Sequence, residues 1–293
     1  MTFQPPKMAR VDPSADRIKG RKIEAYLQFS RTGKRTYLRG QHTPHPFHIT
    51  RPFYLPGDPD GLATLYLQSS SGGLYGDDNL TLSIEAQSDT QTHVTTQASS
   101  VVHAARGGCT HQKVSIKVAE GGYIEYFPEP MILFPEAVQD SKLTVTLSER
   151  AKAVFSDSYI VHDPASSGTV FDRLNNCITI STSSKEQIAP QLIDSMATTG
   201  EIWRSMELCC ISTIHLSGCD NPEAAREAMQ QVADNVSATV PGFYVGVDAL
   251  VDRSIVSLRM ISADGATHTA AMRVLTAAAR MALIGAPIAE HPK

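Results

Sequence analysis

Cys109-Thr110-His111 sets a thiol and an imidazole two residues apart, and on an extended strand positions i and i+2 share one face. A soft sulfur beside a borderline nitrogen is a ligand combination for zinc, nickel or copper ions. The pair also has a plainer reading, a packed cysteine next to a surface histidine. With Asp78 and His103 nearby in the chain, the candidate metal-ligating residues are Asp78, His103, Cys109 and His111. Asp77 and Asp78 are adjacent, so on a strand they point to opposite faces; only an irregular turn would let them share a proton or a metal. Gly72-Gly73-Leu74-Tyr75-Gly76-Asp77-Asp78-Asn79 is dense in turn formers, and turn capping explains both acids without a ligand.

Other polar groups carry less. His42, His45 and His48 recur at threes, but Pro44 and Pro46 hold that segment extended and send the imidazoles in different directions. Ser69, Ser70 and Ser71 beside Gly72-Gly73 imitate a nucleophile loop with no partner histidine or acid at a recognisable spacing. Asp157, His162 and Asp163 form a polar group compatible with a loop or with a site. There is no GxSxG elbow, phosphate-binding Walker loop, HExxH or dinucleotide fingerprint, and no residue is assigned a catalytic role.

The elements that must position these residues are mostly strands. Leu80, Leu82, Ile84 and Ala86 alternate with polar residues, as do Val114, Ile116 and Val118, and Leu143, Val145 and Leu147. Ile23, Ala25, Leu27 and Phe29 face one way before Arg31-Thr32-Gly33-Lys34-Arg35 turns the chain back in a hairpin. Further strands are expected at 62–67, 93–98, 178–180, 209–216, 244–248 and 255–261. After the Gly121-Gly122 turn, Pro128, Pro130 and Pro135 confine the Tyr123 to Phe134 stretch to a sheet edge or a bend. A helical period comes only late. Asn221-Pro222-Glu223 opens one helix, with Ala225, Met229, Val232 and Val236 on a face; a second runs from about Thr269 to Ile284, stopped by Gly285. The stretch 184–203, broken by Pro190 and Gly200, is left unassigned.

Residues 1–20 read as a flexible leader and 21–293 as a single domain. A net charge of −4, a pI near 6.2 and 42% hydrophobic residues predict a globular protein with a real core and argue against a nucleic-acid or membrane-surface role. A basic cluster from Arg17 to Arg39, including Arg21 and Lys22, reads as a solvated leader. No secretory signal or membrane-spanning stretch is evident, and five cysteines without paired CxxC spacing fit a reducing cytoplasm.

A series of short motifs runs in order along most of the chain: Arg31-Thr32-Gly33-Lys34-Arg35-Thr36, Arg51-Pro52-Phe53-Tyr54, Gly72-Gly73-Leu74-Tyr75-Gly76-Asp77-Asp78, Val94-Thr95-Thr96-Gln97-Ala98-Ser99, Glu125-Tyr126-Phe127-Pro128-Glu129-Pro130-Met131-Ile132-Leu133-Phe134, Leu258-Arg259-Met260 and Ala279-Arg280-Met281-Ala282-Leu283-Ile284-Gly285. In this order they resemble the urease accessory protein UreD (UreH) family. The resemblance makes Gly72, Gly73, Gly76, Asp78, Thr96, Gln97, Pro128 and Pro130 scaffold positions. It implies a mainly β fold, a β-helix-like stack of many strands with two helices in the C-terminal part. It also implies a non-enzymatic scaffold-chaperone that binds apo-urease, recruits the accessory proteins UreF and UreG, and assists nickel insertion, with no permanent cofactor and nickel in transit. Two departures mark a divergent member. The family's Gly-Gly-Asp is Gly76-Asp77-Asp78 here, which puts a Cβ where positive φ is expected, and the Gly-Arg and Gly-Glu pairs expected after Phe155 are replaced by Asp157-Ser158-Tyr159-Ile160-Val161-His162-Asp163-Pro164. Two other functions stay open: a metal-dependent hydrolase using Asp77 and Asp78, and a β interaction module whose edge strand at Tyr123 to Phe134 pairs with a client other than urease.

Overall fold

The computed structural model describes residues 20–184, 187–239 and 242–289. Apart from Gly20, the expected leader lies outside the described residues. From Lys22 the period-2 patterns become strands. The chain begins with β1 (Lys22–Thr32) and β2 (Arg35–His42), an antiparallel hairpin turned at Gly33, followed by β3 (Phe47–Ile49) and β4 (Ala63–Ser69). Next come β5 (Asn79–Ala86), β6 (Gln91–Thr96), β7 (Ser100–Val102), β8 (Thr110–Val118), β9 (Tyr123–Phe127), β10 (Met131–Leu133), β11 (Val138–Leu147), β12 (Lys152–Val161), β13 (Arg173–Ser183) and β14 (Ile188–Thr198). The last part holds α1 (Gly200–Ser205), β15 (Cys210–Ser217), α2 (Pro222–Thr239), β16 (Phe243–Leu250), β17 (Ile255–Ser262) and α3 (Gly265–Ile284).

From β4 to β13 the main strands alternate between two sheets, so each coil adds a parallel strand to both. One sheet has the order β14-β13-β11-β8-β5-β1-β2 and the other β16-β17-β15-β12-β9-β6-β4-β3. This is the expected β-helix-like stack, closed at each end by antiparallel strands. Parallel register puts Leu27, Ile84, Ile116, Val145 and Ile180 on one rung across five strands, all fully buried. Side chains of one kind stacked about 4.8 Å apart make an apolar column facing the other sheet.

The expected edge at Tyr123 to Phe134 is overturned. β9 lies between β6 and β12, and β10 lies between β7 and β12, so both are interior strands. Pro128-Glu129-Pro130 instead interrupts the strand line where no ladder hydrogen bond is needed from proline, which is the bend of the two alternatives.

α2 and α3 cover the outer face of the second sheet, where Met229, Ala233, Leu275 and Ala279 pack on Leu216, Val256 and Leu258. Asn221 caps α2, its Oδ1 accepting from Ala224 N at 3.1 Å, as the sequence predicts. α3 starts four residues before the expected Thr269 because Asp264 caps it, accepting from Thr267 N at 2.6 Å. The unassigned stretch holds β14 and α1. β14 is an outermost strand with Ile188 and Ile193 about 60% exposed and a bulge beside Pro190, so it lacks a clean alternation. No described helix is long and apolar enough to cross a membrane.

Candidate functional site

The Gly72–Asp78 corner joins β4 to β5, and two glycines make it possible. Gly73 has φ 136°, and a Cβ there would lie 2.4 Å from Val101 O. In the turn closed by Asp78 N donating to Tyr75 O at 3.0 Å, the positive φ (51°) falls on Gly76. Asp77 is therefore not in the left-handed region, so the expected strain at that position is absent and an aspartate is tolerated without a glycine.

The two acids diverge. Asp78 is 2% exposed and accepts from Arg21 N at 2.9 Å, Arg21 Nε at 3.0 Å, Arg21 Nη2 and Tyr75 N at 2.9 Å. Burial alone would raise its pKa, but the Arg21 guanidinium and the backbone donors hold it below the usual carboxylate range. Arg21 thus belongs to the fold and not to a solvated leader. Asp77 Oδ1 accepts from Cys109 N at 3.1 Å. A shared hydrolase site at Asp77 and Asp78 is not what this geometry builds.

His103 also turns away from the metal candidates. It stacks on Tyr75 with centroids 4.3 Å apart, and its Nε2 donates to Gly72 O at 3.0 Å. The serine hydroxyls close the loop on itself, Ser71 donating to Gly73 O and Ser70 to Pro46 O. His42, His45 and His48 are exposed and do not converge with other ligand types. Asp163 caps its own loop by accepting from Gly168 N at 2.8 Å, and His162 packs on Phe134. The scaffold positions lie between strands: Thr96 accepts from Glu129 N at 2.7 Å between Pro128 and Pro130, and Gln97 N donates to Leu67 O at 2.9 Å.

Cys109 and His111 do come together, with a third partner that spacing could not reveal. Parallel register sets Asp140 of β11 beside His111 of β8, with His111 Nδ1 3.6 Å from Asp140 Oδ2. Donor atoms of Cys109, His111 and Asp140 all lie within 4.8 Å of one another, and among the described residues this is the one such group of three. Asn175 on the next rung donates to Asp140 Oδ1 at 2.9 Å and fixes that carboxylate. Arg173 Nη2 is 3.8 Å from Cys109 Sγ and 3.5 Å from Asp140 Oδ1. Burial, reinforced by Asp140, pushes the Cys109 thiol up to about 11. A thiol, an imidazole and a carboxylate on the outer face of the first sheet can coordinate a borderline divalent cation. The only hint of Asp140 in the sequence was the strand pattern that pairs β8 with β11.

A second, half-buried polar set lies where the two sheets face each other. Two small cavities, about 60 and 70 Å³, share Thr96, Ser100, Gln112 and Tyr126. The first reaches Gly73 and the Ser69–Ser71 loop, and the second reaches Asp157 and Asn176. Asn176 Nδ2 donates to Asp157 Oδ2, linking the two sheets. Beyond them Asp194 meets His215 Nε2 at 3.5 Å and Arg259 Nη2 at 2.5 Å. Polar groups inside an otherwise aliphatic stack are costly unless paired.

Burial pushes Asp157 up to about 6, with the Asp194 charge adding to the effect and His215, Asn176 and Arg259 opposing it. A carboxyl with a raised folded pKa favours the fold while protonated and detracts from it as pH rises through the folded value. Asp157→Asn keeps an acceptor for Asn176 and should raise stability by about 1–2 kcal/mol at pH 7.5, the gain shrinking toward zero near pH 4. Urea unfolding at both pH values checks this, and a lower midpoint at pH 7.5 would show the ionised form to be favoured.

A family model described as UreD urease accessory protein matches residues 22–293. A protein of Methylorubrum extorquens named urease accessory protein UreD 1 is 36% identical over 86% of this chain and 85% of its own length. Counterparts with that name in Pseudomonas syringae pv. tomato and a Bradyrhizobium strain are 32% and 30% identical, over 90% and 96% of this chain and 93% and 98% of theirs.

Proposed function

The chain belongs to the UreD urease accessory protein family, and from that membership we propose that it is a scaffold-chaperone for maturation of the urease metallocentre. It is an accessory protein and not the hydrolase. In the proposed role it binds apo-urease in the cytoplasm, recruits UreF and UreG, and assists the passage of nickel, which is cargo and not a resident cofactor.

The observation that carries this reading is a half-buried polar lining between the two sheets. Gln112, Thr96 and Ser100 adjoin both cavities in a stack whose neighbouring rungs are aliphatic, and Asp157 and Asn176 lie at one end. A row of oxygen and nitrogen ligands supplies successive weak sites for a small cation, and weak sites suit transfer better than storage. The removal of Tyr123 to Phe134 from any sheet edge takes away the support for strand pairing with an unrelated client.

Co-expression tests the role. Tagged apo-urease should retain this chain together with UreF and UreG under nickel-free conditions, and leaving the chain out should reduce nickel-dependent ureolysis to background. Failure to recover the chain with apo-urease in any combination with UreF and UreG would overturn the proposal.

A further inference from the structure

We propose that Cys109, His111 and Asp140 form an external binding site for one borderline first-row divalent cation, with Arg173 as a displaceable gate. The inference goes beyond the assembly role, because it concerns the isolated chain and needs neither urease nor the other accessory proteins.

Three observations converge on it. The first is the donor set. One sulfur, one imidazole nitrogen and one carboxylate lie within 4.8 Å of one another, and that mixture suits nickel, cobalt or zinc while calcium and magnesium require oxygen ligands. The second is preparation of the ligands. Asn175 holds Asp140 Oδ1, which leaves Oδ2 facing His111, while Asp77 Oδ1 holds the backbone N of Cys109 from the other side. Partners of this kind orient metal ligands from outside the coordination shell. The third is access. His111 and Asp140 have side chains 39% and 35% exposed, so an ion reaches them without opening the stack.

Arg173 explains how the site holds its charge without an ion. Its guanidinium rests against both the thiol and Asp140, and its side chain is 49% exposed, so it can swing into solvent. When a cation binds, the Sγ–H bond breaks, the proton passes to buffer, a sulfur–metal bond forms, and Arg173 leaves Asp140. Three protein ligands leave a coordination position for water or for a ligand of an acceptor, the arrangement of sites that exchange rather than bury their metal.

Reduced, tag-free protein titrated anaerobically with Co²⁺ and, separately, Ni²⁺ tests the site. The expected result is one ion per chain with a thiolate-to-cobalt charge-transfer band. Cys109→Ser should remove that band, and His111→Ala and Asp140→Asn should each weaken binding by at least about tenfold. Arg173→Gln removes a competing positive charge and should tighten binding about three- to tenfold. Circular dichroism identifies any variant that fails to fold, and the Arg173→Gln gain is a readout that misfolding cannot mimic. A band that survives Cys109→Ser, or a wild-type titration without a charge-transfer band, overturns the site and leaves the urease co-expression result untouched.

Discussion

Replacing Arg280 with alanine should destabilise the fold by about 3–5 kcal/mol, the largest effect expected of any single substitution in this chain. Arg280 is fully buried on α3 and reaches through the second sheet's outer face to Glu125 on β9, donating from Nε and Nη2 at 2.5 Å each. Its Nη1 donates to Asp58 and to Pro287 O at 2.9 Å, so one guanidinium ties the last helix, an interior strand and the 56–61 loop together. Glu125 also accepts from His93 and Tyr123 and is 0% exposed. Truncating the arginine strands two acids in a dry interior, and that desolvation exceeds the lost contacts themselves.

Burial alone would raise the Glu125 pKa, yet the bonds from His93 and Arg280 lower it to about 2. A depressed carboxyl contributes stability that is complete above the unfolded value near 4.5 and is lost as pH falls toward 2. Wild-type thermal midpoints should fall steeply across that window, whereas Arg280→Ala should start low at neutral pH and change less. Adding Glu125→Ala to Arg280→Ala should cost less than the two single substitutions summed. Additive losses would mean that the contact is not the source of either effect.

Asp78→Ala ranks second, at about 2–3 kcal/mol. Its carboxylate takes donors from Arg21, just ahead of β1, and from Tyr75 in its own turn. The Arg21 side chain is 27% exposed, so solvent screens part of the pair and the loss stays below that at Arg280. The lowered pKa places this contribution above about pH 4, lost on further acidification. Unfolding midpoints measure the total, and limited proteolysis near Arg21 and Gly76 should show the corner loosening first. Asp78→Asn keeps the shape and discards the charge, so a variant indistinguishable from wild type would refute the ionic account.

These expectations were not equally legible in the amino-acid order. Alternation marked β5, β8 and β11 because each has one face in the core and the other in solvent. β14 escaped since an outermost strand with a bulge buries little on either side. Glycines and acids announced the corner, but the identity of the partner that neutralises Asp78 depends on a contact across 57 positions. For the same reason Cys109 and His111 could be singled out while Asp140 and Arg173 could not. Ligands contributed by separate coils become neighbours only after the stack has formed. The interior placement of Tyr123 to Phe134 shows the opposite failure: proline was read as a limit on pairing, although it limits only its own position.

The coil-by-coil build also governs which insertions and deletions the lineage can tolerate. A loop between strands can lengthen at small entropic cost, since closure grows only with the logarithm of length. One residue inserted within β8 is different in kind. Placed just before Val114, it would shift the frame of the ladder from there on, turning Val114 and Ile116 outward, and the flanking β5 and β11 would lose their match on every rung past that point. Length variation should therefore accumulate at the corners, leaving strand lengths as the inherited constant.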